Sequence, residues 1–245
     1  MSVVAAEGIK LASTRSPWWA AGSAVVATVG VGAIVVVEAA RSGQLSVAST
    51  QFAYTLGMAV VMVMATLAVT TEYTTGTIRT TFLAVPRRRA ALLAKTAVVA
   101  VVGGVVGLVG AFGSWGASLV LQPGAELALA GPVEWRQVAG VGLVYLVAAV
   151  AAVAVGILVR HTAGAVSLVL VWSLMAEPLL AAIPGVGPSL QQWLPFQAAK
   201  HFLTAGPAAS GSGPLDGPWV ALAYFAGVTA VLLAVAVGVA ERRDA

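Results

Sequence analysis

Long uncharged apolar runs alternate with short polar segments along the chain, and this pattern predicts its elements. Most of the runs reach the roughly 20 residues that a helix needs to span a bilayer. The fifth run stops at Glu177 and resumes through Pro178, so we interpret it as a broken span. The pattern predicts an all-α membrane protein with six transmembrane helices in a single domain, residues 1–245. The apolar runs cover about residues 18–37, 42–71, 96–125, 137–159, 162–176 and 217–240.

Composition supports a membrane protein. The chain is 60% hydrophobic and 9% charged, whereas a soluble domain carries about 25% charged residues. A membrane β-barrel would need short segments of alternating apolar and polar residues. The runs here are continuously apolar, which favours helices. Cysteine is absent, which excludes disulfides and thiolate chemistry.

The basic residues predict the orientation of the chain in the membrane. With six spans, both termini share one side, and that side would hold ten of the thirteen Lys and Arg residues. Cytoplasmic segments carry the excess of basic residues, so we expect a multi-pass protein of the cytoplasmic membrane with both termini in the cytoplasm. The ten are Lys10, Arg15, Arg79, Arg87, Arg88, Arg89, Lys95, Arg160, Arg242 and Arg243, and the other three are Arg41, Arg136 and Lys200.

Two further segments are predicted to lie at the membrane surfaces. Residues 1–16 have a weak apolar side opposite polar residues, which favours an interfacial helix; the alternative is a frayed tail. Residues 177–203 are apolar but punctuated by prolines, which indicates a re-entrant segment in the outer leaflet. Glu177 is a functional candidate, because an acid near membrane depth is costly; the alternative places it among the outer headgroups.

The most charged stretch, residues 70–96, lies between the second and third spans. Gly76 can end the second helix in a left-handed conformation, and Thr77 can cap a new short helix. In that helix Ile78 and Phe82 share one side, Arg79 lies on another, and Pro86 closes it. We therefore predict a cytoplasmic segment, residues 72–95, that contains a surface helix.

Three arginines, Arg87, Arg88 and Arg89, occupy the predicted first turn of the third helix. Cations at a helix amino end are mildly unfavourable. Lipid phosphates, the topology of the chain or an acidic partner must offset this cost.

Several residues are candidates for a substrate path or for helix packing. Met58 and Met62 share a helix face, and methionine suits surfaces that bind varied apolar ligands; ordinary packing is the alternative. Rows of small residues in the third span would let helices approach closely. These rows are Gly103, Gly107 and Ala111, and Gly110, Ser114 and Ser118.

Catalytic and nucleotide-binding motifs are missing from the sequence. There is no GxxxxGK[ST], HExxH or GxSxG pattern. With two histidines and no cysteine, we expect no transition-metal site. Charges inside the apolar runs are nearly absent, which argues against an ion-coupled carrier. Energy for transport would have to come from another chain.

The charged stretch resembles a known family. Its pattern resembles that of the membrane subunits of type-two ABC exporters. The pattern is Glu72, three further residues, Gly76-Thr77-Ile78-Arg79, and then Pro86-Arg87-Arg88 and Lys95. The likeness is strongest to the short actinobacterial permeases, and it extends to the tryptophan pair, the six spans and the proline-broken region.

The resemblance implies an assembly. Two permease subunits, identical or related, would pair in membrane lipid, and each would bind a cytoplasmic ATPase subunit that holds ATP and Mg. Residues 77–85 would be the coupling helix that docks on the ATPase. Glu72, Gly76 and Thr77 would set its angle. The coupling residues would be Glu72, Gly76, Thr77, Ile78, Arg79, Phe82, Pro86 and Arg87.

The implied function is export of a hydrophobic or amphiphilic compound by a subunit that binds no cofactor and is not itself an enzyme. Substrate would pass between the subunits beside the second and fifth spans, near Met58, Met62, Trp172 and Glu177. No nucleic-acid partner is expected. The alternatives are a secondary carrier or channel that works without an ATPase and, less favoured because catalytic groups are missing, an intramembrane enzyme.

Overall fold

The structure is a computed structural model that describes residues 3–77, 88–205 and 217–243. The described residues form helices and contain no strand. Six of the helices are long and apolar enough to cross a membrane, so the predicted all-α fold with six spanning helices is confirmed. In chain order the helices are α1 (Val3–Ser13), α2 (Arg15–Arg41), α3 (Val47–Thr50), α4 (Tyr54–Thr74), α5 (Arg88–Leu121), α6 (Pro132–Val159), α7 (Thr162–Val171), α8 (Glu177–Ala181), α9 (Gly187–Gln191), α10 (Pro195–Thr204) and α11 (Pro218–Arg243).

The fifth span is continuous, and the predicted interruption at Glu177 and Pro178 is wrong. A π-helical turn, Trp172–Ala176, joins α7 to α8, and together they form one helix of 20 residues. In this turn the amide of Glu177 donates to Trp172 O, five residues back. The wider turn accommodates Pro178, which has no amide to donate and would break a regular α-helix.

The third helix begins within the arginine run, as predicted, since α5 starts at Arg88 and contains 34 residues. Lys95, the last residue of the predicted cytoplasmic segment, therefore lies inside this helix. Arginine, lysine and alanine are good helix formers, and their intrinsic preference extends the helix beyond the purely apolar residues.

Helix α6 lies at the centre of the bundle and packs against α4, α5 and α11. In its most apolar stretch 67% of the residues are buried, whereas the value is 22% for α2 and 28% for α11. Tyr145 of α6 donates its hydroxyl to Tyr54 O at 2.6 Å. A Cβ at Gly107 would lie 2.7 Å from the Tyr145 ring, so the small residue is what lets α5 approach.

The small-residue rows of α5 lie at helix contacts, as predicted. Gly103 faces Val61 and Ala149, while Gly110 faces Thr28 of α2. Ser114 donates to Thr50 O at 2.7 Å and therefore also ties α5 to α3.

Both described terminal helices reach the same end of the bundle, the end where α4 stops and α5 starts. Arg89 of α5 pairs with Glu241 of α11, and Arg243 Nη1 donates to Leu158 O at 3.4 Å. We call this the terminal end. The opposite end contains the start of α4, the start of α6 and helix α10.

Candidate functional site

Four charged side chains from three helices meet at the terminal end, and we call this cluster the charged junction: Glu7, Lys10, Glu72 and Lys95. Lys95 Nζ donates to Glu7 Oε2 at 2.6 Å and to Glu72 Oε1 at 2.8 Å. Lys10 donates to the same Glu72 oxygen. The cluster joins α1, α4 and α5 through residues up to 88 positions apart in the chain.

Most of the charged junction is buried. Glu72 and Lys95 are each 5% exposed and Glu7 is 9% exposed, whereas the Lys10 side chain is 47% exposed. Removing ions from water costs several kcal/mol for each ion, and only close, hydrogen-bonded pairing offsets that cost. Two carboxylates and two ammonium groups balance each other here. Loss of one buried partner would therefore leave an uncompensated charge.

This arrangement gives Glu72 contacts inside the bundle, and its predicted role in coupling stays a prediction. The resemblance implies that Glu72 sets the angle of a coupling helix at the surface, but its carboxylate points inward to Lys95. One of its oxygens, Oε2, is buried and has no hydrogen-bond partner among the described residues. Glu72 therefore acts on α1 and α5 and does not offer its carboxylate to solvent.

The predicted end of the second span is confirmed at Gly76. Helix α4 ends at Thr74, Thr75 is its cap, and Gly76 follows with φ +74°. The Gly76 amide donates to Tyr73 O at 3.4 Å, as in a glycine-terminated helix. The hydroxyls of Thr75 and Thr77 lie 3.0 Å apart.

The remaining predicted coupling residues lie outside the described residues: Ile78, Arg79, Phe82, Pro86 and Arg87. The predicted coupling helix, residues 77–85, therefore stays a prediction. Arg89, next in the arginine run after Arg88, finds an acidic partner within the chain, Glu241. This pairing offsets part of the cost of a cation in the first turn of α5.

Glu177 holds the start of α10 at the opposite end of the bundle. Its Oε2 accepts from the amides of Phe196 at 2.8 Å and Gln197 at 3.0 Å. Its Oε1 accepts from Trp172 Nε1 at 2.9 Å. Glu177 is fully buried. The first amides of a helix have no partner within the helix and carry partial positive charge, so a carboxylate from another helix completes α10.

Arg136 holds the other end of the same helix. Its Nη2 donates to the carbonyl of Ala205, the cap residue of α10. Its guanidinium lies 5.6 Å from the centre of the Phe202 ring, and the residue is 7% exposed. A cation at a helix carboxyl end is stabilising. The two ends of α10 are thus held by opposite charges from α8 and α6.

The predicted substrate-path residues do not share one space. Met62 and Trp172 line an almost wholly apolar cavity of about 290 Å³ between α4, α6, α7 and α11. Met58 lines a second cavity of about 290 Å³ beside α3 and α10. Glu177 lines neither, because its oxygens serve α10 and Trp172. Phe196 lines both cavities.

Sequence reasoning missed Glu7, Lys95 and Arg136 as buried charges. It assigned the two basic residues to polar segments on either side of the membrane and placed Glu7 on the polar side of an interfacial helix. The available signal was that Lys95 and Arg136 each directly precede a long apolar run, where an ion needs a partner. Glu7 had no such signal.

Comparison with known proteins does not assign the chain to a family. No protein-family model matches the chain. A search of curated proteins finds no match either. A function for this chain is therefore argued from its geometry and its sequence pattern.

Proposed function

We propose that this chain is the membrane-spanning permease subunit of an ATP-driven exporter of the ABC type. It would move a hydrophobic or amphiphilic compound outward together with a second permease chain. Separate cytoplasmic ATPase subunits would bind ATP and Mg and supply the work. The observation that supports this most is the charged junction, which joins the end of α4 to the start of α5, the two helices on either side of residues 78–87 in the sequence.

The junction gives a mechanical reason for the proposal. Glu72 lies in the last turn of α4 and Lys95 in the second turn of α5, so their 2.8 Å contact joins the two helices that flank the segment. Force applied to that segment would move α4 and α5 together, because separating them would unpair buried charges. Helix α4 lines both cavities, one through Met58 and the other through Met62. Movement of α4 at the terminal end would thus be transmitted to the cavities.

A secondary carrier is the second candidate, and the buried ionisable groups weigh against it. A carrier exchanges a proton or an ion at such groups during transport. In the described spans Glu72, Lys95, Arg136 and Glu177 each hydrogen bond to another part of the fold. These charges maintain the structure, which favours an external source of energy.

The direct test is purification of the full chain from its own host in mild detergent. We expect a nucleotide-binding protein to co-purify in a fixed ratio, identified by mass spectrometry. Vesicles containing both should couple ATP hydrolysis to movement of amphiphilic dyes. Dye movement driven by an ion gradient through the purified chain alone would refute the proposal.

A pair of matched glycine variants tests the coupling itself. Gly76 (φ +74°) and Gly43 (φ +68°) both follow a helix end, and neither has an atom within 4 Å of an added Cβ. Gly76→Val and Gly43→Val therefore impose the same backbone strain, about 1–2 kcal/mol, at opposite ends of the bundle. We expect similar losses of thermal stability but a several-fold fall in ATP-driven transport only for Gly76→Val. Equal transport losses would contradict coupling at Gly76.

A further inference from the structure

A cavity of about 430 Å³ lies beside the charged junction, between α1, α2, α4 and α5. It is lined by all four junction residues, and most of the rest of its wall is apolar, including Val60, Met64 and Leu67, with some hydroxyl residues such as Ser23 and Thr71. Val60 and Glu72 are 12 residues apart on α4, which is about 18 Å of helix. The cavity therefore has the charged head and long apolar wall that suit an amphiphile.

Among the described residues, one carboxylate oxygen at the charged end has no hydrogen-bond donor. Glu72 is 5% exposed, and its Oε2 is buried without a partner among the described residues, while Oε1 already accepts from Lys95 and Lys10. An unpaired buried carboxylate oxygen is costly. A ligand with an N–H donor in the cavity would remove that cost.

The charge balance restricts the ligand further. The junction contains two carboxylates and two ammonium groups, so its formal charge is zero, and a ligand with a net charge would unbalance it. A zwitterion keeps the balance. Its anionic group has a partner in Lys10, whose side chain is 47% exposed. The exposed hydroxyls of Thr14 and Ser16 line the same rim.

The position along the bundle agrees with a lipid headgroup. Trp18 and Trp19, at the start of α2, are 65% and 76% exposed. Exposed tryptophans concentrate at the level of the headgroups. Pro17, the residue before this pair, lines the cavity.

We propose that this cavity binds a phospholipid-type amphiphile with a primary ammonium group, such as phosphatidylethanolamine. The ammonium pairs with the carboxylate of Glu72, which lines the cavity, the phosphate faces Lys10, and an acyl chain lies along α4 toward Val60. The inference depends on the cavity alone and holds whether or not an ATPase drives the chain.

The test measures binding of short-chain phosphatidylethanolamine and phosphatidylcholine to the delipidated full chain by native mass spectrometry. The two lipids differ in that the quaternary ammonium of phosphatidylcholine has no N–H. We expect phosphatidylethanolamine to bind at least ten-fold more tightly. Equal dissociation constants would overturn the proposal.

Variants assign the preference to the site. Glu72→Gln should abolish the preference for phosphatidylethanolamine over phosphatidylcholine, whereas Glu38→Gln, an exposed acid on α2, should keep it. Ser23→Phe, at an exposed position in the cavity wall, should lower the binding affinity of both lipids at least five-fold. Val26→Phe, which lies outside the wall, should leave both affinities unchanged. A preference that survives Glu72→Gln would refute the assignment. If Glu72→Gln fails to fold, the proposal is still tested by the affinities of the two lipids for the native chain and for the Ser23→Phe variant.

Extraction in mild detergent distinguishes two possible sources of the bound amphiphile, a resident membrane lipid and a free or transported compound. A resident membrane lipid should co-purify with the chain, whereas a free or transported amphiphile should bind only when it is added. Either result supports the site, provided that the bound species has a primary ammonium. A co-purified lipid without an N–H donor would count against it.

Discussion

The two ends of the helical bundle both bury charged side chains, but they stabilise different kinds of contact. At the terminal end, Lys95 lies between Glu7 and Glu72, so side chains pair with side chains and hold three helices together. At the opposite end, Glu177 and Arg136 each bind backbone atoms of α10. The first arrangement stabilises the packing of separate helices, and the second stabilises the termini of one short helix.

The difference predicts how far the effect of removing a charged side chain extends through the fold. Losing a buried charge of the junction should loosen α1 from α4 and α5 and affect the whole fold. Losing a charge at α10 should loosen mainly that helix, whose ends would regain unpaired backbone groups. The following variants are ordered by expected loss of stability.

Lys95→Met should have the largest effect. It leaves Glu7 without its partner and Glu72 with only the half-exposed Lys10, so we expect a loss of about 3–5 kcal/mol in the free energy of unfolding. Unfolding titrations in mixed micelles with sodium dodecyl sulfate measure it. The triple variant Glu7→Leu, Glu72→Leu and Lys95→Met should regain most of the loss, because apolar residues replace the buried ions. Wild-type stability of Lys95→Met would show that the junction is not a stabilising contact.

Glu177→Ala should cost about 3 kcal/mol, because two backbone amides and the Trp172 indole lose a charged acceptor. Glu177→Gln should cost less, since its single carbonyl oxygen can still accept. The same titration measures both, and Glu38→Gln on the exposed side of α2 serves as the control, with a change within about 0.5 kcal/mol. If all three variants unfold alike, Glu177 does not hold α10.

Arg136→Met should cost about 2 kcal/mol through loss of the hydrogen bond to Ala205 O and of the favourable cation at the helix end. Hydrogen exchange should quicken at the amides of residues 198–204 and stay unchanged near Lys95. Arg41→Met, at an exposed arginine of α2, is the control. Faster exchange spread through the whole bundle would show that the two ends are not independent.

Lys10→Met should have the smallest effect, below about 1 kcal/mol, measured on the delipidated chain. Its side chain is about half exposed, and Lys95 still neutralises Glu72. Exposed ion pairs contribute little because water and salt screen them. A loss as large as that of Lys95→Met would mean that burial does not distinguish the two lysines.

Local features of the sequence account for the helices themselves. Continuous apolar runs of sufficient length predict six spanning helices because each turn satisfies its own backbone hydrogen bonds. Gly76 was predicted to end α4 because glycine adopts the left-handed conformation without strain, and its φ of +74° agrees. The continuity of the fifth span through Pro178 is not predictable in this way, because a π turn depends on a local rearrangement that the presence of proline does not specify.

The partners of the buried charges follow from packing and not from local pattern. Glu7 and Lys95 are 88 residues apart, and Glu177 lies about 20 residues from the amides that it binds. Helix formation depends on neighbours within a few residues, so hydropathy and glycine placement determine where helices begin and end. The choice of ionic partner depends on which faces meet once α1, α4 and α5, or α6, α8 and α10, have packed, and burial then makes each pairing obligatory.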